Sequence, residues 1–312
     1  MLSARPLVAW QLADGKRGHE RQVEGLLAAL ADRVPLATHL VGITRGRAAL
    51  LGDWLAGRFG AGRGLPAPDL LVGAGSRCEL ALLAARRACG GRAVCLMRPS
   101  LPLACFDLCI VPRHDGVGAR GNVIESEGTL SPMRPAAART DDLGVILLGG
   151  PSAHHDWNDA AIVVQILAIV GAAPHLRWEI GDSRRTPPSL MPALRQALAA
   201  RSSANAVTVP FATCAADWLP ATLARAQVAW VTADSVAMLY EALSAGARLG
   251  VIDVPAKRDD RITAIAPALI AQGRAAAVGG APPAAVTLTE AARCAEALLA
   301  RWPDLAPRAR PA

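Results

Sequence analysis

Between two short apolar runs, residues 228–231 and 249–254, the sequence places Thr232, Asp234 and Ser235, then Met238 and Glu241. The runs suit buried strands, and Met238, Leu239, Ala242 and Leu243 recur at helical spacing until Ser244-Ala245-Gly246 ends the pattern. The segment therefore reads strand, loop, helix, strand. In such a unit the loop and first helical turn lie at the carboxyl edge of a parallel sheet, where free N–H groups and the helix dipole favour a phosphate. Glu241, two turns into the helix, is placed to accept hydrogen bonds from a ribose diol. The competing reading is that Asp234 or Ser235 only caps the helix and Glu241 is solvated surface.

Five further loops carry chemistry. GDSRRTPP puts Ser183, Arg184, Arg185 and Thr186 at a strand end, and guanidinium forks with hydroxyls suit a phosphate. ADGKRGHE supplies Gly15, Lys16, Gly18 and His19, whose near-neutral pKa suits a general base. PRHDGV offers His114 and Asp115 as alternatives for that role, although Asp beside His also occurs as ordinary turn chemistry. GAGSR with Ser76 and GGPSAHHDW with Gly150 and Ser152 complete the candidate substrate contacts.

The elements that must position these residues alternate. Apolar runs at 7–12, 36–43, 69–75, 93–97 and 106–111 are separated by helical patterns, one starting near His19 and one over 48–59 with Leu50, Leu51, Trp54 and Leu55 inward. Such alternation predicts a parallel sheet with helices on both faces. SPMRPAAARTDD, with two prolines and no periodicity, marks a boundary near 134–142, after which the pattern restarts at 143–148. The expectation is an α/β chain of two Rossmann-like domains facing a cleft, 1–138 and 139–289, with 290–312 packing back on the first. The Pro- and Arg-rich tail after Trp302 reads as disordered.

Composition excludes several classes. The chain has 312 residues, and none of its apolar runs reaches the roughly 18 to 20 residues of a membrane span. No secretory signal is read at the N-terminus, so a cytoplasmic protein is expected. Seven cysteines without a CxxC pair or a nearby histidine cluster predict reduced core thiols rather than a zinc site. The net charge of +7 would suit an anionic partner, but arginine carries nearly all of it, as a G+C-rich genome alone could produce. With aromatics scarce and no basic stripe, nucleic acid is not an expected partner. No tight Asp-x-Asp pair suggests a metal, and no cofactor is expected beyond a substrate nucleotide.

Two successive halves of this kind, each with a glycine-containing loop after its first strand, resemble the two-domain glycosyltransferase fold called GT-B. TADSVAMLYEALSAGARLGVIDVP is similar to its nucleotide-sugar segment, which implies a diphosphate on the loop and the ribose on Glu241. DGKRGHE is similar to a loop in the enzyme that adds N-acetylglucosamine in peptidoglycan assembly, which implies that His19 faces an acceptor. More closely, DGKRGHERQ, GAGSR, MRPSLPLACFDLCIVPRHDG, LLGGPSAHHDW, GDSRRTP and TADSVAML, in that order, resemble the family of the plant mitochondrial-fission factor named for elongated mitochondria and its bacterial relatives. Cys78 departs from that pattern, where a polar residue is expected. The resemblance implies a sugar-nucleotide-binding protein of glycosyltransferase type, working without a metal. The alternative it implies is a non-catalytic adaptor at a membrane surface, peripheral to the inner membrane. Base, sugar, acceptor and oligomeric state are not readable from the sequence.

Overall fold

The structure is a computed structural model that describes residues 5–118, 120–140, 142–215 and 217–305. Of the tail after Trp302, read above as disordered, Pro303–Leu305 form a 3-10 turn in which Asp304 pairs with Arg92 at 2.9 Å, while the residues from 306 and the first four lie outside the described part. The chain divides into two compact units, Met1–Pro132 with Thr289–Ala312, and Met133–Leu288. The division falls earlier than residue 138 because residues 133–140 are stitched to the second unit. Ala136 and Thr140 donate backbone N–H groups to Ala224 and Arg225, and the Arg139 guanidinium donates to the carbonyls of Ala226 and Ala245.

The first unit contains β1 (Leu7–Ala13), α1 (Arg17–Ala31), β2 (Leu36–Gly42), α2 (Arg47–Leu55), β3 (Leu70–Ala74), α3 (Ser76–Cys89), β4 (Arg92–Leu96), β5 (Leu108–Pro112) and β6 (Val123–Ser126). All strands run parallel in the order β2-β1-β3-β4-β5-β6. Strands covered on both faces need apolar side chains at successive positions, and β3, LLVGA, is buried throughout. Leu70, Val72 and Ala74 pack with α1 residues Val23, Leu26 and Leu30, while Leu71 joins Ala81 and Leu82 of α3. α2 differs from expectation: Leu50 is buried and Trp54 half-buried, but Leu51 and Leu55 are 43% and 63% exposed. A short helix beside an edge strand has one covered side only, and four apolar positions in six residues cannot all face it.

The second unit contains β7 (Leu143–Leu147), α4 (Asp159–Ala172), β8 (Arg177–Gly181), α5 (Leu190–Ala200), β9 (Ala206–Val209), α6 (Trp218–Arg225), β10 (Val228–Thr232), α7 (Val236–Ser244), β11 (Arg248–Ile252), α8 (Ile265–Ala271) and β12 (Ala275–Ala277). Its sheet is parallel, ordered β12-β11-β10-β7-β8-β9. Two tryptophans fix strand glycines by close approach. Gly144 pairs with Trp178 and Gly250 with Trp230, and a Cβ on either glycine would come within 2.5 Å of the indole.

The chain then returns to the first unit as α9 (Glu290–Arg301), whose Cys294, Ala295 and Leu298 enter the core beside α1. Glu290 accepts from the Glu127 N–H at 2.8 Å and from Arg293, which also donates to the Glu125 carbonyl. Among the described residues, no helix is long and apolar enough to cross a membrane.

Both sheets are doubly wound, and strand order reverses direction between β1 and β3 in the first unit and between β7 and β10 in the second. In open α/β sheets a ligand crevice forms at this reversal, beyond the carboxyl ends of the strands, because the flanking loops diverge to opposite faces.

Candidate functional site

In the second unit the reversal lies between the Leu148–Gly150 turn after β7 and the loop after β10. Thr232 Oγ1 accepts the Gly149 N–H at 2.8 Å, and Asp234 Oδ2 accepts the Gly150 N–H at 3.0 Å. Asp234 Oδ2 also accepts from Arg185 Nη2 at 2.8 Å, and Arg185 Nη1 donates to the Gly150 carbonyl at 2.9 Å. The hydroxyls are used internally as well: Ser183 Oγ donates to the Gly149 carbonyl at 3.0 Å, and Thr186 Oγ1 to the Leu148 carbonyl at 3.1 Å. Three loops thus close on one another around Gly149 and Gly150. Neither glycine has room for a side chain, since a Cβ at Gly149 would meet the Asp234 carboxylate at 2.2 Å and one at Gly150 the Arg185 carbonyl at 2.0 Å.

This arrangement sorts the residues singled out in the sequence. Thr232, Asp234 and Ser235 are buried and build the scaffold, while Arg184 and Arg185 remain exposed at the rim. Arg184 lies 6.0 Å over the Phe211 ring. Ser152 Oγ accepts the N–H groups of His154 and His155 and so shapes its own loop. Met238 is half-buried in the first turn of α7, and Glu241 is buried and already engaged. Pattern reading missed His155. It is buried, burial lowers its pKa, and its Nδ1 and Asp234 Oδ1 are buried atoms without a hydrogen-bond partner among the described residues. Only its double-histidine loop hinted at it. His154 is turned away, with Nδ1 2.7 Å from Asp260.

In the first unit the reversal joins the loops after β1 and β3. His19 Nδ1 hydrogen-bonds Asp14 Oδ2 at 2.9 Å, and Asp14 Oδ1 accepts the Lys16 N–H at 3.0 Å. The imidazole lies against Gly75, where a Cβ would fall 2.3 Å from His19 Cε1 and φ is +81°. Asp14, absent from the residues singled out above, is buried and fixes the ring. With a proton on Nδ1 held by this carboxylate, Nε2 carries the lone pair of the neutral ring. Gly15, at φ +80°, makes the turn, and Lys16 and Gly18 are exposed beside it. Ser76 is exposed at the start of α3. Cys78 is buried behind it, donating to the Leu12 carbonyl at 3.4 Å, and burial pushes its thiol pKa up to about 12. His114 and Asp115 belong to another part of this edge, where Asp115 accepts the Arg98 N–H at 3.3 Å.

Two doubly wound parallel α/β units define a GT-B-like, Rossmann-like architecture. The sequence matches the family described as Mitochondrial fission ELM1 over residues 17–302, and the chain belongs to that family. No curated protein matches the sequence. Among solved structures it is similar to the UDP-GlcNAc 2-epimerase of Methanocaldococcus jannaschii, with a TM-score of 0.57 and 11% identity over 94% of this chain and 99% of that one. It is likewise similar to S. aureus MnaA, solved with UDP, with a TM-score of 0.51 and 11% identity over 96% and 89%. At such identities the likeness speaks for the fold alone.

Proposed function

We propose that this protein binds a sugar nucleotide through its second unit and transfers the glycosyl group to an acceptor hydroxyl without a metal ion. The observation that carries the reading is Arg185, an exposed guanidinium held by a buried carboxylate and a backbone carbonyl where the loops after β7, β8 and β10 meet. A guanidinium fixed in advance stabilises a leaving diphosphate without reorganising during the reaction. The similar structures, a UDP-GlcNAc 2-epimerase and MnaA solved with UDP, agree with such a ligand.

In such a transfer the acceptor hydroxyl gives its proton to a base as its oxygen bonds to the anomeric carbon, and His19 Nε2 is the group of the first unit suited to that role. The bond from that carbon to the diphosphate breaks, and its electron pair leaves with the diphosphate, where Arg185 and Arg184 offset the charge. Asp14 stabilises the imidazolium that forms. Thr232, Asp234 and Gly150 act by positioning, and Glu241 would reach the ribose only where its buried carboxylate meets the crevice.

Calorimetric titration with UDP-, GDP-, ADP- and CMP-linked sugars tests the reading. One of them should bind, and Arg185→Ala should weaken it by about 1.5–3 kcal/mol, the worth of a hydrogen bond to a charged group. Binding of none would transfer the weight to a non-catalytic adaptor on the same fold.

A further inference from the structure

Along the carboxyl edge of the first sheet, carboxylates turn inward and cations outward. The loops and first helical turns after β1, β3, β4 and β5 carry Asp14, Glu79 and Asp115, all buried, and Lys16, Arg17, Arg77, Arg98 and Arg113, all exposed. The carboxylates are taken up by structure. Asp14 holds His19 and the Lys16 N–H, Glu79 accepts the Ser100 N–H, its hydroxyl and the Leu101 N–H, and Asp115 accepts the Arg98 N–H. The cations are not taken up to the same degree. Arg17 is paired with Glu24 at 2.5 Å and Arg113 lies toward Glu290, but Lys16 and Arg77 enter no ion pair among the described residues.

Arg98 is placed with unusual care. The residue before it, Met97, has φ +70°, a left-handed conformation that a long side chain adopts only where its surroundings over-determine it. Here they do: the Met97 N–H donates to the Ile110 carbonyl at 2.9 Å, and the next backbone and side-chain groups are held by Asp115 and Glu79. The result is an exposed guanidinium tethered at the end of β4, the strand next to β3, which is followed by Gly75 and, in the first turn of α3, by Arg77. His19 lies on Gly75, two residues before Arg77, and follows Lys16 by three in the first turn of α1. A carboxylate is satisfied by one guanidinium fork, whereas a phosphate offers three oxygens and nearly two charges to groups arriving from separate loops.

We propose that the first unit binds a phosphorylated, hydroxyl-bearing compound, its phosphate on Lys16, Arg77 and Arg98 and its hydroxyl toward His19. This makes the acceptor of the glycosyl transfer anionic, and so rests on that reading, but the phosphate site is testable without transfer. The full chain carrying Arg184→Ala and Arg185→Ala, which removes both arginines assigned to phosphate in the second unit, is titrated with glucose 6-phosphate and with glucose. Glucose 6-phosphate should bind at least tenfold more tightly than glucose. Adding Lys16→Ala and Arg77→Ala, both exposed, should remove at least tenfold of that affinity. Equal binding of the two sugars, or affinity untouched by the added substitutions, would overturn the site. The nucleotide reading fails separately, when the unaltered chain binds no sugar nucleotide.

Discussion

The Asp234–Arg185 pair supports the sharpest test, because scaffold and candidate ligand contact meet in it. Asp234→Asn keeps the shape but removes the charge and half of the acceptor capacity. One oxygen of the native carboxylate serves both the Gly150 N–H and Arg185 Nη2 at 3.0 and 2.8 Å, and an amide oxygen in its place accepts both without the charge, leaving the NH2 buried in the place of Oδ1, which has no partner among the described residues. With charge centres about 4 Å apart and an effective dielectric near 20, the Coulomb attraction is about 4 kcal/mol as an upper bound. The Asp234 side chain is fully buried but Arg185 is 42% exposed and is rehydrated when released, so screening brings the loss to about 1–3 kcal/mol. The transition of the second unit should drop by roughly 2–4 °C per kcal/mol, and sugar-nucleotide affinity should fall about tenfold although the substituted side chain itself touches no ligand. Urea unfolding of Asp234→Asn, Arg185→Gln and the double variant measures the coupling. If the single losses simply add, within about 0.5 kcal/mol, Asp234 does not hold Arg185 and the account of a fixed guanidinium is refuted.

Three other outcomes are expected. Gly75→Ala, with its φ of +81° and a Cβ 2.3 Å from the ring, should displace His19, seen as moved imidazole resonances by NMR, and lower any turnover by roughly 10²- to 10⁴-fold; an unmoved His19 resonance would contradict the packing. For Glu290, burial opposes ionisation, yet the Arg293 hydrogen bond and the Glu127 N–H outweigh it and hold its pKa below the usual 4.5. The contribution is present above that value and lost as pH falls through the lower folded pKa. Glu290→Gln should therefore cost about 1–3 kcal/mol at pH 7, and the difference from the parent should shrink below pH ~4; a gap as wide at pH 3 as at pH 7 speaks against it. Burial pushes the thiols of Cys78, Cys109 and Cys294 up to about 12 and that of Cys95 well up too. In the native protein an aromatic disulfide reagent should modify only Cys89, Cys105 and Cys214, the remainder reacting after denaturation.

Much of the fold was legible because parallel strands covered on both faces must be apolar throughout, and runs such as residues 70–74 and 143–147 can be little else. Strand–helix alternation by itself places ADGKRGHE, GGPSAHHDW, GDSRRTPP and TADS at carboxyl edges. Three elements were not legible. α6 and α8 are short and carry Pro220 and Pro267, which a first helical turn tolerates but which read as breakers, and β12 is three alanines with no strand preference. The site divided along the same line. Residue type alone located the arginines and His19 in loops suited to anions and proton transfer. Which side chains turn inward was decided by partners far along the chain: Asp234 by Gly150 and Arg185, Thr232 by Gly149, His19 by the bare Cα of Gly75 as well as by nearby Asp14. Those partners come together only because strand order reverses between β1 and β3 and between β7 and β10, and order within a sheet depends on which faces bury together, a property of the packed chain rather than of any one stretch of it.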